Sequence, residues 1–106
     1  KNITLQRDIL SYINKNYMHK ISLKDIAARF HMSEKYFSRF FKNSFQITFI
    51  EYLNSVRLEK AASLLTTTDM PVTEIAFICG FVNISYFIRS FKKAFGNSPH
   101  VFRKNS

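Results

Sequence analysis

Two stretches of this chain carry basic and hydroxyl side chains at helical spacing, at matching positions about fifty residues apart. A helix turns about 100° per residue, so these side chains lie opposite the phenylalanines of their own stretch. Arginine can donate paired hydrogen bonds to O6 and N7 of guanine, which makes Arg39 and Arg89 the best candidates for reading bases. The outward sets are Lys35, Ser38, Arg39 and Lys42, and Ser85, Ile88, Arg89 and Lys92.

A charged outer face of a helix usually has no partner other than water. The composition of the second stretch indicates a binding role instead. Residues 83–95 contain Arg89, Lys92 and Lys93 and no acid, whereas a merely soluble helix mixes signs to gain i,i+4 pairs. The N–H groups at helix N-termini near Ser33 and Asn83 also suit an anion. These features predict phosphate contacts from Ser33, Lys42, Asn83, Lys92 and Lys93.

The elements that position these residues occur twice. "SLKDIAARF" and "SEKYFSRFFKNSF" predict two short helices with Ser22 and Ser33 as N-caps, and "PVTEIAFICGF" and "NISYFIRSFKKAF" repeat them, with Asn83 as N-cap. Alignment of the copies leaves one extra residue in the second turn. Two short helices joined by a tight turn form a helix-turn-helix. The residues predicted to face inward are Phe37, Phe40, Phe41, Ser44 and Phe45, and Phe87, Phe91, Ala94 and Phe95.

One long helix is predicted between the copies. "TFIEYLNSVRLEKAASLL" opens with a capping box from Thr48 to Glu51 and continues with apolar residues at helical spacing. The first twenty or so residues predict a covering helix. The expected fold is therefore all-α, with about seven helices in one domain over 1–106. Its parts are a first helix-turn-helix subdomain over 1–47, a linker helix over 48–67 and a second subdomain over 68–106.

The composition narrows the class of protein. Sixteen Lys and Arg against seven Asp and Glu leave a net charge of +9, which points to a polyanionic partner. Cys79 cannot form an internal disulfide and lies in an apolar run, which fits a buried thiol and a cytoplasmic protein. The scattered histidines give no support for a metal, and we expect no cofactor, no membrane span and no enzyme.

The segment "EIAFICGFVNISYFIRSFKKAFGNSPHVFRK" resembles the signature region of the AraC/XylS family of bacterial transcription regulators. The resemblance extends back through "RLEKAASLL" and "LKDIA", so it covers nearly the whole chain beyond Ser22. It implies a seven-helix DNA-binding domain that regulates transcription, most often by activation through RNA polymerase. It also implies a separate sensing or dimerising domain N-terminal to Lys1. The matching residues are Ile75, Ala76, Gly80, Phe81, Tyr86, Phe87, Phe91, Lys92, Lys93, Gly96, Ser98, Pro99 and Arg103.

The resemblance also implies which residues read bases. In the first recognition helix these are Lys35, Ser38 and Arg39, and in the second they are Ile84, Ser85, Ile88 and Arg89. Family members often carry polar residues at the positions of Ile84 and Ile88. Burial against the core and base contact are both open for Ile84. Phe102 replaces the more usual tyrosine, which we interpret as a packing change.

The expected function is sequence-specific binding of double-stranded DNA by a monomer of this domain, with two recognition helices in successive major grooves. The alternative is a basic protein-interaction module that docks an acidic partner such as RNA polymerase. Binding of duplex DNA that depends strongly on salt distinguishes the two.

Overall fold

The computed structural model describes residues 3–106, and these form seven α-helices, which confirms the all-α class. None of the seven is both long and apolar enough to span a bilayer. Contacts divide the chain into two compact units: unit 1 ends at Asn54, and unit 2 runs from Ser55 to Ser106. The predicted subdomain limits at 47, 48, 67 and 68 stay predictions. The helices are α1 (Ile3–Asn16), α2 (Leu23–Arg29), α3 (Glu34–Phe45), α4 (Phe49–Thr67), α5 (Val72–Ile78), α6 (Ile84–Phe95) and α7 (Pro99–Lys104).

Unit 1 is built around the buried face of α3. The rings of Phe37 and Phe41 are fully buried, and each packs against Phe49 at the start of α4, with centroid distances of 5.8 and 6.1 Å. Phe45 packs beside Phe41, with ring centroids 4.6 Å apart. The inward face predicted for this helix is confirmed, and the remaining core residues come from α1, α2, α4 and the segment before α2: Ile9, Ile13, Ile21, Ile26, Ala27 and Leu53.

Unit 2 repeats this arrangement around α6. Phe87 and Phe91 are fully buried, and Phe91 packs against Phe95 and Phe102 at 4.5 and 5.2 Å. The inward position predicted for Ala94 is wrong, because this residue is exposed. Phe95 and Phe102 pack together at that end of the helix, and a single methyl group gains little from burial there. The rest of the core is Leu58, Ala61, Leu65, Val72, Ile75, Ala76, Cys79 and Phe81.

Local sequence explains where the helices begin. Ser22, Ser33 and Asn83 are N-caps as predicted, and each side-chain oxygen accepts a hydrogen bond from the backbone N–H three residues on. Thr48 and Glu51 form the predicted capping box, with bonds of 2.9 and 3.1 Å. Each cap satisfies N–H groups that the helix itself leaves unpaired.

Left-handed residues occupy equivalent places in the two units. His31 and Gly80 lie in the turns of the two helix-turn-helix motifs with φ of 60° and 104°, and Gln46 and Gly96 end α3 and α6 with φ of 68° and 83°. Glycine adopts this conformation without strain, whereas other residues pay a steric cost. The backbone path is therefore repeated even where the residue type is not.

Arg103 ties α7 to the segment at the end of α4. Its Nε donates to the carbonyl oxygen of Leu65 at 3.0 Å, and its Nη2 donates to those of Thr68 and Met70 at 3.2 and 2.7 Å. The last carbonyls of a helix have no partner within the helix. The guanidinium therefore fixes the chain where α4 ends and the second helix-turn-helix begins.

Candidate nucleic-acid interface

The outer face of α3 presents its predicted residues together. Lys35, Ser38, Arg39 and Lys42 are all exposed, and their i, i+3, i+4, i+7 spacing covers about 10 Å of one helical face. The buried phenylalanines on the opposite side hold α3 against the core of unit 1. The helix therefore offers a firm surface with three cationic groups and one hydroxyl.

The outer face of α6 is more apolar than that of α3. Ser85, Arg89, Lys92 and Lys93 are exposed, so four predicted positions are accessible. Ile88 is half-buried and packs against the core of unit 2, which corrects its predicted outward orientation. A β-branched apolar side chain at the edge of the buried face gains free energy by turning toward the core. Base contact by Ile88 stays a prediction, and the partial burial of the side chain argues against it.

Ile84 occupies the first position of α6. The residue is 38% exposed, so its side chain is accessible to solvent. Of the two possibilities that its sequence position left open, burial against the core does not occur, and base contact stays a prediction.

The phosphate candidates lie at both ends of the recognition helices. Ser33 Oγ and Asn83 Oδ1 accept the capping bonds from Tyr36 N and Tyr86 N, which leaves the hydroxyl hydrogen and the amide NH₂ as donors. At the other end of α3, Lys42 Nζ donates to the carbonyl oxygen of Gln46 at 3.4 Å. This bond is long and exposed, so a phosphate can compete for the ammonium group.

Sequence reasoning gave no role to three exposed residues of these motifs. Tyr36 and Tyr86 lie in the first turn of α3 and α6, with 54% and 41% of their surface exposed. Val82, in the second turn, is 95% exposed. The repeat contained the signal for the tyrosines, because they match each other fifty positions apart, and the extra residue of the second turn was the signal for Val82.

Cys79 is the C-cap residue of α5 and is buried, so it takes no part in the outer surface. Burial raises the pKa of its thiol to about 11, and nearby Arg57 and Lys60 only partly oppose that rise. The thiol is therefore protonated at neutral pH and has little nucleophilic character. This confirms the buried hydrophobe that the sequence predicted.

Comparison with known proteins supports the interpretation of these two motifs. A family model described as a helix-turn-helix domain matches residues 26–105. The chain belongs to the AraC-type helix-turn-helix family. The regulator YijO of Escherichia coli, an uncharacterised HTH-type transcriptional regulator, is 40% identical over 96 residues. The match covers 91% of this chain and 34% of YijO, so this AraC-type domain spans about a third of that relative.

Solved structures share the fold of this AraC-type domain. The C-terminal domain of the two-component response regulator yesN from Fusobacterium nucleatum has a TM-score of 0.90 at 35% identity, covering 94% of this chain and 98% of that chain. The DNA-binding domain of the global transcriptional factor AdpA, in complex with a target DNA, has a TM-score of 0.89 at 26% identity. That match covers 94% of this chain and 90% of that chain.

Proposed function

We propose that this AraC-type domain binds double-stranded DNA sequence-specifically and regulates transcription at bacterial promoters. In this proposal α3 and α6 are the recognition helices, and they enter successive major grooves of one site. The domain acts as a monomer on the DNA. Activation through contact with RNA polymerase, and a sensing or dimerising domain elsewhere in the intact protein, are expectations from the family.

One observation carries the proposal: each unit presents an exposed, cationic outer face on a helix whose other face is fixed in the core by buried phenylalanines. Apart from one extra residue before α6, a similar backbone path leads to both helices, with a left-handed residue in the turn and another at the end of each recognition helix. A rigid, projecting helix suits the major groove, which admits an α-helix. Two such faces in one chain suit two groove segments.

Base reading is assigned to the residues near the N-terminal half of each recognition helix. Lys35, Ser38 and Arg39 offer hydrogen bonds from α3, and Ser85 and Arg89 offer them from α6. In helix-turn-helix proteins the N-terminal residues of the recognition helix contact base edges. A bidentate arginine contact to guanine discriminates against the wrong base by about 1–3 kcal/mol.

Phosphate contacts supply the larger, sequence-independent part of the affinity. The donors of Ser33 and Asn83 lie at helix N-termini, and Lys42, Lys92 and Lys93 lie toward the C-terminal ends. A helix docked by these groups is held at both ends of the groove segment, and each neutralised phosphate releases counterions. The net charge of +9 favours the same class of partner.

The test compares three charge-matched variants, Arg39→Ala, Arg89→Ala and Arg7→Ala, on a duplex selected from a random library. Arg7 is exposed on α1 and is not among the predicted DNA contacts. We expect Arg39→Ala and Arg89→Ala to lose about 5- to 150-fold in affinity for the selected duplex relative to a scrambled one. Arg7→Ala should weaken both duplexes slightly and equally. Equal effects from all three variants, or an acidic peptide that binds as tightly as the selected duplex, would contradict the proposal.

A further inference from the structure

The backbone identifies Val82 as the residue inserted in the second helix-turn-helix. In unit 1, the N–H of Met32 donates to the carbonyl oxygen of Ala27 at 2.9 Å. In unit 2, the N–H of Phe81 donates to that of Ala76 at the same distance. Met32 is followed at once by the N-cap Ser33, whereas Val82 stands between Phe81 and the N-cap Asn83. The second motif therefore has one more residue directly before its recognition helix.

Val82 has no packing role in the fold. The residue before an N-cap often packs against the fourth helical residue, which in α6 is Phe87. Here Phe81 packs against Phe87 instead, with ring centroids 5.0 Å apart, and Val82 remains 95% exposed. In unit 1, Met32 is half-buried in the core cluster that contains Phe37. Phe81 thus takes the packing place of Met32, and the insertion adds an exposed apolar side chain that the first motif lacks.

We propose that Val82 contacts the C5-methyl group of a thymine in the half-site read by α6, together with exposed Ile84. This inference rests on the proposed function. Only the N-cap Asn83 separates Val82 from the N-terminal end of the recognition helix, the end that meets base edges. The only apolar group that base edges offer in the major groove is the thymine methyl. Unit 1 has no counterpart to Val82, so the thymine preference belongs to the second half-site.

Replacing thymine by uracil removes only the methyl group, so it isolates this contact. We expect one or two uracil substitutions in the second half-site to weaken binding of the unchanged protein by about fourfold each, equivalent to about 0.8 kcal/mol. In Val82→Ser the same uracil substitutions should have little further effect. Binding is measured by fluorescence anisotropy on duplexes selected with the unchanged protein.

Val101→Ser is the matched control, since Val101 is another exposed valine of unit 2 and lies on α7. This variant should keep the full response to uracil. Thermal unfolding should show that Val82→Ser is as stable as the unchanged protein, because the side chain packs against nothing.

Several results would overturn the inference. An equal uracil penalty in Val82→Ser and the unchanged protein would place the methyl contact on another residue. A uniform loss of affinity, independent of uracil, would place Val82 against the sugar-phosphate backbone. Unchanged DNA binding combined with lost binding to RNA polymerase would make Val82 a protein contact. If the unchanged protein bound no duplex specifically, the proposed function would fall first, and this inference with it.

Discussion

The side chain of Arg103 supports a prediction that separates folding from DNA binding. Its guanidinium donates to the carbonyl oxygens of Leu65, Thr68 and Met70 at 2.7–3.2 Å. In Arg103→Met the side chain keeps its unbranched stem and loses every donor. All three carbonyl groups then lose this partner, and the segment between α4 and α5 loses its tie to α7.

The expected loss of stability is large for one substitution. A hydrogen bond to a charged group contributes about 1.5–3 kcal/mol, so three of them set an upper range of roughly 4–9 kcal/mol. Arg103 is only half-buried, so water can reach the carbonyl groups after the substitution, and the methionine stem retains some packing. We therefore expect a loss of about 2–3 kcal/mol. Small domains have a total stability of about 5–15 kcal/mol, so the loss should be clear in urea unfolding followed by circular dichroism.

Arg89→Met is the control, because it removes the same charge from the same unit at an exposed position. Its stability should change by less than about 0.5 kcal/mol, while its affinity for the selected duplex falls. Arg103→Met measured at a temperature where it is fully folded should bind nearly as well as the unchanged protein. An unfolding free energy for Arg103→Met within 0.5 kcal/mol of the unchanged protein would refute the reasoning.

Three further predictions concern a helix end, a thiol and salt. Gly96→Ala should lower the free energy of unfolding in urea by about 1 kcal/mol, because φ of Gly96 is +83° and alanine is strained there. An added Cβ meets nothing within 4 Å, so no steric clash adds to this loss. An unchanged free energy of unfolding would mean that the turn relaxes freely. Burial raises the pKa of the Cys79 thiol from 9.0 to about 11, so the folded protein keeps this proton to higher pH than the unfolded chain does. Stability should therefore fall by about 2 kcal/mol as pH rises through that window, and an equal fall in Cys79→Ala would contradict this. Affinity for duplex DNA should drop by roughly 10³–10⁵ between 50 and 200 mM salt, and a flat response would exclude extensive phosphate contact.

Local sequence was sufficient to predict most of the fold. The helix caps were predictable because each joins a side chain to a partner only three residues away in the sequence. They are the N-caps Ser22, Ser33 and Asn83 and the capping box that begins at Thr48. The repeat then placed the second motif by analogy with the first. The bonds of Arg103 were not predictable in this way, because they join residues 33–38 positions apart.

The candidate site was predictable where a side chain lies well inside one face of its helix. Arg39 and Arg89 lie near the centre of the outer face, and both are exposed as predicted. Ile88 lies about 100° from Phe87, at the edge of the buried face, where neighbouring side chains decide which residue turns inward. Ala94 lies within about 20° of Phe87 on the helical wheel, but it is the second-last residue of α6, where Phe95 and Phe102 pack together. Periodicity alone therefore misplaced both residues. Val82 was missed because its exposure depends on Phe81 taking the packing position beside Phe87.

Methylation interference on the selected duplex tests the central claim most directly. Dimethyl sulphate places a methyl group on guanine N7 in the major groove, where it blocks an arginine that donates there. Our account predicts two groups of interfering guanines, about one helical turn apart. Arg39→Ala should abolish interference in one group alone, and Arg89→Ala in the other alone. A single group of guanines, or one group that responds to both substitutions, would contradict the claim that α3 and α6 read separate groove segments.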